Sequence, residues 1–230
     1  MKIIMFVGRS EYSKIVYNHL KKKYIISLVV QEASKNTKKI LKFRLKKFGF
    51  RIWLGQIFFI VFSKILSRVS KKRIREIKNL YNLKTDPYEE GNLTIVDNIN
   101  NNLVKTLISS MDYDLIVVTG TGIIKNNILE SIKKPIINLH AGITPFYRGV
   151  HGAYWALISS DLENCGVTVH FVDKGVDTGR VIYQKKIEIT SMDNFCTYPY
   201  LQFSEGVILL DKVVSDIESN NLTSYKVIAN

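Results

Sequence analysis

The stretch Asp114-Leu-Ile-Val-Val-Thr119-Gly-Thr-Gly122, followed by Pro135-Ile-Ile-Asn138-Leu-His140-Ala-Gly142, decides the fold. The first half is an unbroken apolar run of strand length that stops at a glycine. Such runs, without alternating polar residues, belong to strands covered on both faces, as in a parallel sheet between helices. Residues 123–132, between the halves, read as a short helix. Working outward, residues 2–7 form another apolar run ending at Gly8. Residues 10–23 carry Ile15, Val16, His19 and Leu20 at helical spacing, and residues 25–30 are apolar and β-branched. Residues 93–96 read as a strand, and 102–110 and 150–159 as helices. Residues 166–172 and 180–189 read as an antiparallel pair, and 198–218 have helical periodicity. Strand and helix in alternation predict an α/β fold: a Rossmann-like, open, twisted, mostly parallel sheet with helices on both faces. The organisation expected is one domain over 1–190, interrupted at about 35–84, with a C-terminal helical extension over 191–230.

The interruption holds most of the charge. The 230 residues have a formal net charge of +13. From Lys35 to Lys84 there are 16 Lys/Arg and one acid, Glu76, a net +15; the other 180 residues hold 17 Lys/Arg against 19 Asp/Glu, a net −2. A chain basic all over, as a nucleic-acid coat would be, is thereby excluded. A hydrophobic fraction of 46% argues against disorder. The two cysteines, Cys165 and Cys196, show no metal-ligand spacing and fit a reduced, cytoplasmic compartment. The N-terminal apolar run is too short for a secretion signal. No run of 18 apolar residues occurs, so no ordinary membrane-spanning helix is expected.

Chemistry is densest where strands end. Asn138 and His140, two apart on a strand, point to one face. At the carboxyl edge of an open α/β sheet they would face the crevice where such folds bind ligands. Asn can donate to a developing oxyanion, and His can exchange a proton near neutral pH. An isolated Asn-x-His is more often a pair making turn bonds. Asp177, beside Gly179 in a loop, could reach this pair, though such a loop is usually only a turn. His170 lies inside a strand and reads as a packed residue and no catalyst. Gly120-Thr121-Gly122 lets a ligand approach the backbone. It is neither a dinucleotide fingerprint nor a P-loop.

Together, Asn138-Leu-His140-Ala-Gly-Ile-Thr-Pro145-Phe-Tyr-Arg148-Gly149 and Val167-Thr-Val-His-Phe-Val-Asp-Lys-Gly-Val-Asp177-Thr-Gly179 resemble the folate-dependent formyltransferases. These include the glycinamide ribonucleotide, methionyl-tRNA and sugar N-formyltransferases. The likeness covers roughly residues 90–190, and 1–32 in outline. It implies a formyltransferase fold and transfer of a formyl group from 10-formyltetrahydrofolate to an amine. Asn138, His140 and Asp177 would be catalytic, with Asp177 orienting His140. Gly120, Thr121, Gly122, Ile123, Val172, Asp173, Gly175 and Val176 would line the folate pocket, and no metal is implied.

The runs around Gly120 and from His140 to Leu157 look most like the sugar enzymes. They imply a nucleotide-linked amino sugar acceptor, such as a 4-amino-4,6-dideoxyhexose, in lipopolysaccharide and O-antigen synthesis. Arg9, Ser10, Tyr12, Arg148, Gly149, His151 and Tyr154 would contact that acceptor, and Trp155 would be core. Only about 40 residues follow Ile189, which argues against the tRNA enzyme. A homodimer fits the family. The alternatives are formylation of glycinamide ribonucleotide or an amino acid, and a non-catalytic membrane-associated scaffold.

The basic segment has three readings. It could be a helical lid packing its apolar face on the core, an interfacial helix on anionic lipid at the inner membrane face, or a nucleic-acid patch. The first is preferred and the last is the weakest.

Overall fold

In the computed structural model, which describes residues 1–33 and 37–226, with side chains described outside 37–39, β1 (Lys2–Val7) is an interior strand of a seven-stranded sheet. The start of the basic segment at Lys35 and the last four residues fall outside the described residues. The remaining strands are β2 (Ile25–Glu32), β3 (Leu93–Val96), β4 (Leu115–Thr119), β5 (Ile136–His140), β6 (Gly166–Phe171) and β7 (Val181–Lys186). Their spatial order is β3-β2-β1-β4-β5-β6-β7. The first five run parallel, while β6 is antiparallel to both β5 and β7. The mostly parallel sheet read from the apolar runs is therefore present, and the second pair of apolar runs forms its antiparallel edge.

Helices cover both faces. Helices α1 (Glu11–Leu20), α3 (Lys71–Leu80), α6 (Gly152–Ile158) and α7 (Tyr198–Glu218) bury side chains in one core cluster with Ile3, Met5, Val117 and Leu139. Helices α4 (Asn102–Ser110) and α5 (Asn126–Leu129) close the other face over Ile4, Phe6, Ile116 and Ile136. Burying these runs at about 25 cal/mol per Å² supplies the main driving force for the sheet's central strands. The 191–230 region thus contributes α7 directly to the core.

Two local readings change. The helix expected over 123–132 shrinks to α5. Asn100 captures the backbone that a longer helix would use: it accepts from Lys125 N–H at 2.6 Å and donates to the Ile123 carbonyl at 2.9 Å. Trp155, expected in the core, is 53% exposed, because α6 turns Gly152, Ala153 and Ala156 inward instead.

The basic segment divides into α2 (Thr37–Val69) and α3. Helix α3 docks through buried Ile77 and an Arg73–Asp193 pair at 2.9 Å, whereas α2 touches the domain more sparsely, with Phe59 against Phe195 and the Ser63 carbonyl 3.8 Å from Cys196 Sγ. No residue described in α2 falls in the buried class, so within the segment read as a lid it is α3 that packs an apolar face on the core, and the apolar face of α2 stays largely uncovered. The helix Ile40–Val69 is long and apolar enough by composition to cross a membrane, its most apolar 18-residue window having a mean hydropathy of 1.5. The count of unbroken apolar residues did not single the segment out, because only a window that tolerates Arg51 and Lys64 reaches this value. The helix is not straight, however. Gly49, at φ 81° and ψ 172°, breaks it into two arms.

Candidate active site

The antiparallel register of β6 on β5 sets His170 directly opposite Asn138, and Thr168 opposite His140. Cross-strand partners share a face of the sheet. Asn138, His140 and His170 therefore gather on the face of α4 and α5, beyond the end of their apolar cluster. The loop after β6 then folds back over this face and inserts Asp177.

One carboxylate ties the arrangement together. Asp177 Oδ1 accepts from Asn138 Nδ2 at 3.2 Å and lies 3.4 Å from His170 Nε2. Its Oδ2 accepts from the Gly149 N–H at 2.8 Å and lies 3.3 Å from His140 Nδ1. Asp177 adopts φ 49°, a left-handed conformation that aspartate tolerates. Two glycines make the approach sterically open. A Cβ on Gly179 would stand 1.7 Å from the Phe171 carbonyl oxygen. One on Gly142 would stand 2.5 Å from the Tyr147 carbonyl oxygen and 2.7 Å from His140 Nε2.

The bonds assign the protons. His140 Nε2 is 2.8 Å from the Tyr147 carbonyl, which can only accept, so Nε2 carries the hydrogen. Burial holds His140 below the ordinary histidine value, against the upward pulls of Asp177 and the Tyr147 carbonyl. The neutral ring therefore turns the Nδ1 lone pair toward Asp177. Burial pushes the Asp177 carboxyl up, but the contact with His170, the nearby His140 and the Gly149 N–H together hold it below the usual carboxylate range. His170 Nδ1 lies 2.7 Å from the Phe171 carbonyl, so its Nε2 accepts from Asn138 Nδ2 at 3.2 Å. The result is a neutral, buried base facing a stable carboxylate.

The structure places the other expected residues unevenly. Gly149 contacts Asp177 directly. Arg148 lines a groove beside Asp177 together with Thr144, Pro145, Thr178, Gly179 and Lys226. His151 and Tyr154 lie against Phe195, with ring centroids 5.6 and 5.7 Å away. Arg9 and Ser10 are exposed just after β1, next to Gly8, whose N–H donates to the Thr119 carbonyl. Tyr12 departs from expectation: it stacks on Phe203 at 5.0 Å and meets Tyr200 edge-on at 5.1 Å, in the core of the opposite face.

Of the loop residues, Val172 packs in one cluster with Ile124 and Ile136, so the segments containing 120–124 and 172–176 meet beside Asn138. Glu32 anchors the first by accepting from Gly122 N–H at 2.7 Å. Asp173 shapes the second by accepting from Gly175 N–H at 3.0 Å and from the Thr178 hydroxyl at 2.6 Å. Exposed Ile123 and Val176 offer apolar contact from the two loops. Backbone with apolar side chains, flanking the polar cluster, fits a flat heteroaromatic ring with polar edges. Thr121 bonds back to its own loop, its hydroxyl donating to the Gly122 carbonyl at 3.0 Å.

Sequence reasoning missed His170, Phe195 and Lys226. Phe195 carries no motif. Lys226 reaches the groove because Tyr225 pairs with Val181 in both directions, at 2.8 and 2.9 Å.

Comparison with known proteins agrees with this geometry. Residues 62–205 match the family model described as Formyl transferase. A methionyl-tRNA formyltransferase from Finegoldia magna is 33% identical over 159 residues, covering 67% of this chain and 50% of that protein. The chain thus spans about half the length of the curated relatives it matches, or less. A sugar N-formyltransferase from Shewanella sp. superposes with a TM-score of 0.60 at 16% identity, covering 100% of this chain and 75% of that one. A phosphoribosylglycinamide formyltransferase from Anaplasma phagocytophilum gives 0.62 at 14% identity, covering 100% and 94%. The architecture is shared by both structures and does not separate their acceptors. Because the family match runs through β5, β6 and the loop that join Asn138, His140 and Asp177, the chain belongs to the formyl transferase family.

Proposed function

We propose that the chain transfers a formyl group from 10-formyltetrahydrofolate to the amine of a nucleotide-linked amino sugar, in the synthesis of a surface polysaccharide. The observation that carries formyl transfer is the Asp177 carboxylate, held between Asn138 and the unprotonated nitrogen of His140.

Bound folate supplies the formyl carbon as an activated amide. Asn138 donates an N–H to the formyl oxygen as negative charge develops there. Both of its N–H groups are engaged at 3.2 Å, to His170 and Asp177. These are long bonds, so exchanging one costs little. His140 takes up the proton that the attacking amine must lose, at Nδ1, where Asp177 Oδ2 stabilises it. The acceptor nitrogen loses one proton and the leaving nitrogen gains one, so the His140–Asp177 pair ends as it began.

Two features support the sugar acceptor. Arg148 and Lys226 line the groove beside Asp177, and a guanidinium fork and an ammonium suit diphosphate oxygens. His151, Tyr154 and Phe195 form an aromatic wall of the kind that packs on sugar rings. The Finegoldia magna relative favours a second acceptor, the amine of methionyl-tRNA.

The test is incubation with 10-formyltetrahydrofolate and an amine panel, read by mass spectrometry. The panel holds nucleotide-linked amino sugars, methionyl-tRNA, glycinamide ribonucleotide and amino acids. Formylation of the sugar, lost in Asn138→Ala and His140→Ala while the circular dichroism spectrum is kept, is the expected outcome. Preferential formylation of methionyl-tRNA would replace the sugar reading. Normal turnover in either variant would refute the site.

A further inference from the structure

We propose that α2 is a monotopic helical hairpin that docks on an anionic lipid bilayer without crossing it. Three observations carry this inference: an apolar surface left uncovered, a charge pattern, and the way both ends are tethered.

The first observation is exposure. Phe50, Phe58 and Phe62 are 63%, 72% and 49% exposed, on a helix with no buried side chain among those described. A contiguous apolar face of this kind marks a surface that meets lipid or another protein.

The second is charge. Lys42, Arg44, Lys46, Lys47 and Arg51 crowd the first arm and the tip, Lys64 and Arg68 follow, and no acid occurs between residues 40 and 75. A symmetric dimer through this face would set one such cluster against its copy, and the like charges would repel. Anionic headgroups complement the cluster, at a gain per basic residue that is lost in high salt. Trp53 and the phenylalanines beside it suit the interfacial layer.

The third is tethering. The arms fold back at Gly49, and Arg44 Nη1 donates to Gln56 Oε1 at 3.3 Å, a contact between the arms that a straight helix would not allow. The apolar stretch 52–62 is interrupted only by Gly55 and Gln56 and rises about 17 Å, roughly half the hydrocarbon thickness. Arg51 and Lys64 bound it. Ala33, bonded to β3 through the Val96 carbonyl, is four residues from Thr37, a span of at most about 15 Å. At the other end, buried Ser70 bonds Asn194 at 3.0 Å. Both ends thus return to one domain, so the hairpin enters the interface from one side.

One side of the second arm meets the active-site rim. Phe59 meets Phe195 edge-on at 5.4 Å, and Phe195 packs on His151 and Tyr154. Docking therefore holds the aromatic wall of the acceptor groove next to the headgroup layer.

The experiment floats the full chain, in a Trp155→Phe background so that Trp53 alone reports, with two kinds of vesicle. One is phosphatidylcholine alone, and the other is about one third phosphatidylglycerol. Co-flotation with the anionic vesicles only, a blue shift of Trp53 emission and release by high salt are the expected results. Lys46→Glu with Lys47→Glu should weaken partitioning by about 30-fold or more. Phe58→Ser with Phe62→Ser should abolish the blue shift. Both pairs are exposed, and an unchanged circular dichroism spectrum checks the fold. The proposal is overturned by absence of binding to anionic vesicles, or by binding indifferent to the charge reversal. A lipid-indifferent dimer dispersed by the Phe58/Phe62 variant would also overturn it, as would a hairpin tip cleaved by protease sealed inside the vesicle.

Discussion

Asp177→Asn isolates the charge at the centre of the site. Asparagine tolerates the left-handed backbone at φ 49°, so the loop keeps its path. With its carbonyl oxygen at the Oδ2 position it still accepts from Gly149 and still faces His140 Nδ1, and the amide N–H group takes the Oδ1 position beside Asn138 and His170. Reversing the amide loses the Gly149 bond and turns an N–H onto His140 Nδ1, occupying the lone pair that must take the proton. In both orientations the protonated ring loses its counter-charge. At 3.3 Å, unit charges attract by about 5 kcal/mol at an effective dielectric near 20, and the Asp177 side chain, 14% exposed, is little screened. With the proton half transferred at the transition state, about half of this is lost, roughly 2.5 kcal/mol, or a fall in kcat/KM of about 70-fold. Steady-state turnover of the acceptor found in the amine panel measures it, with a folate titration to separate KM from kcat. Asp177 also holds His140 toward its protonated form, so the acid limb of the rate profile should move to lower pH in the variant. Turnover within about threefold of the parent, or a limb moving upward, would refute the assigned proton path.

Two further outcomes follow from the same geometry. Gly142→Ala places a Cβ against the Tyr147 carbonyl and His140 Nε2 and should cost about 1–3 kcal/mol of stability by overpacking, together with most of the activity; an unchanged melting temperature would count against the tight approach. Stability should also fall in acid. His140 lies below 6.5 when folded, so the unfolded chain binds its proton first, and stability is full above about pH 6.5 and declines as pH falls toward the folded value. Asp177, held below 3.8, adds a loss of the same sign as pH falls below that value. Thermal melts across this range should show His140→Gln flattening the upper part of the slope, and an unaltered slope would contradict the depressed value.

How far the sequence carried the reading depended on whether a feature was local. The apolar runs of β1, β4 and β5 and the periodicity of α7 were legible, because burial on both faces and a 3.6-residue repeat leave direct marks. Asn138 and His140 were found because strand alternation fixes their common face. His170 was passed over because its partner is set by the register of β6 on β5, which no spacing along the chain encodes. The surroundings of Tyr12 were hidden for a related reason: its position after the first strand suggested the crevice, and the packing of α7 brings Tyr200 and Phe203 against its ring, in the cluster that also takes Tyr154 and Phe195. The α5 boundary was set by Asn100, a side chain more than twenty residues away.

The hairpin shows the same limit from the other side. Counting apolar residues finds no membrane span, and averaging hydropathy over a window finds one; neither fixes the path that the segment takes. A single glycine with positive φ does, together with the positions of the two ends. If α2 were straight, its 33 residues would carry Val69 about 50 Å from Thr37, yet the chain must return to α3, packed on the same domain. The break at Gly49 removes that conflict, and the price is an apolar surface that the domain does not cover. The charge of +13 belongs largely to this hairpin and its flanks. The sheet carries little of it: the charge at the centre of the candidate site is the buried Asp177 carboxylate beside the neutral His140.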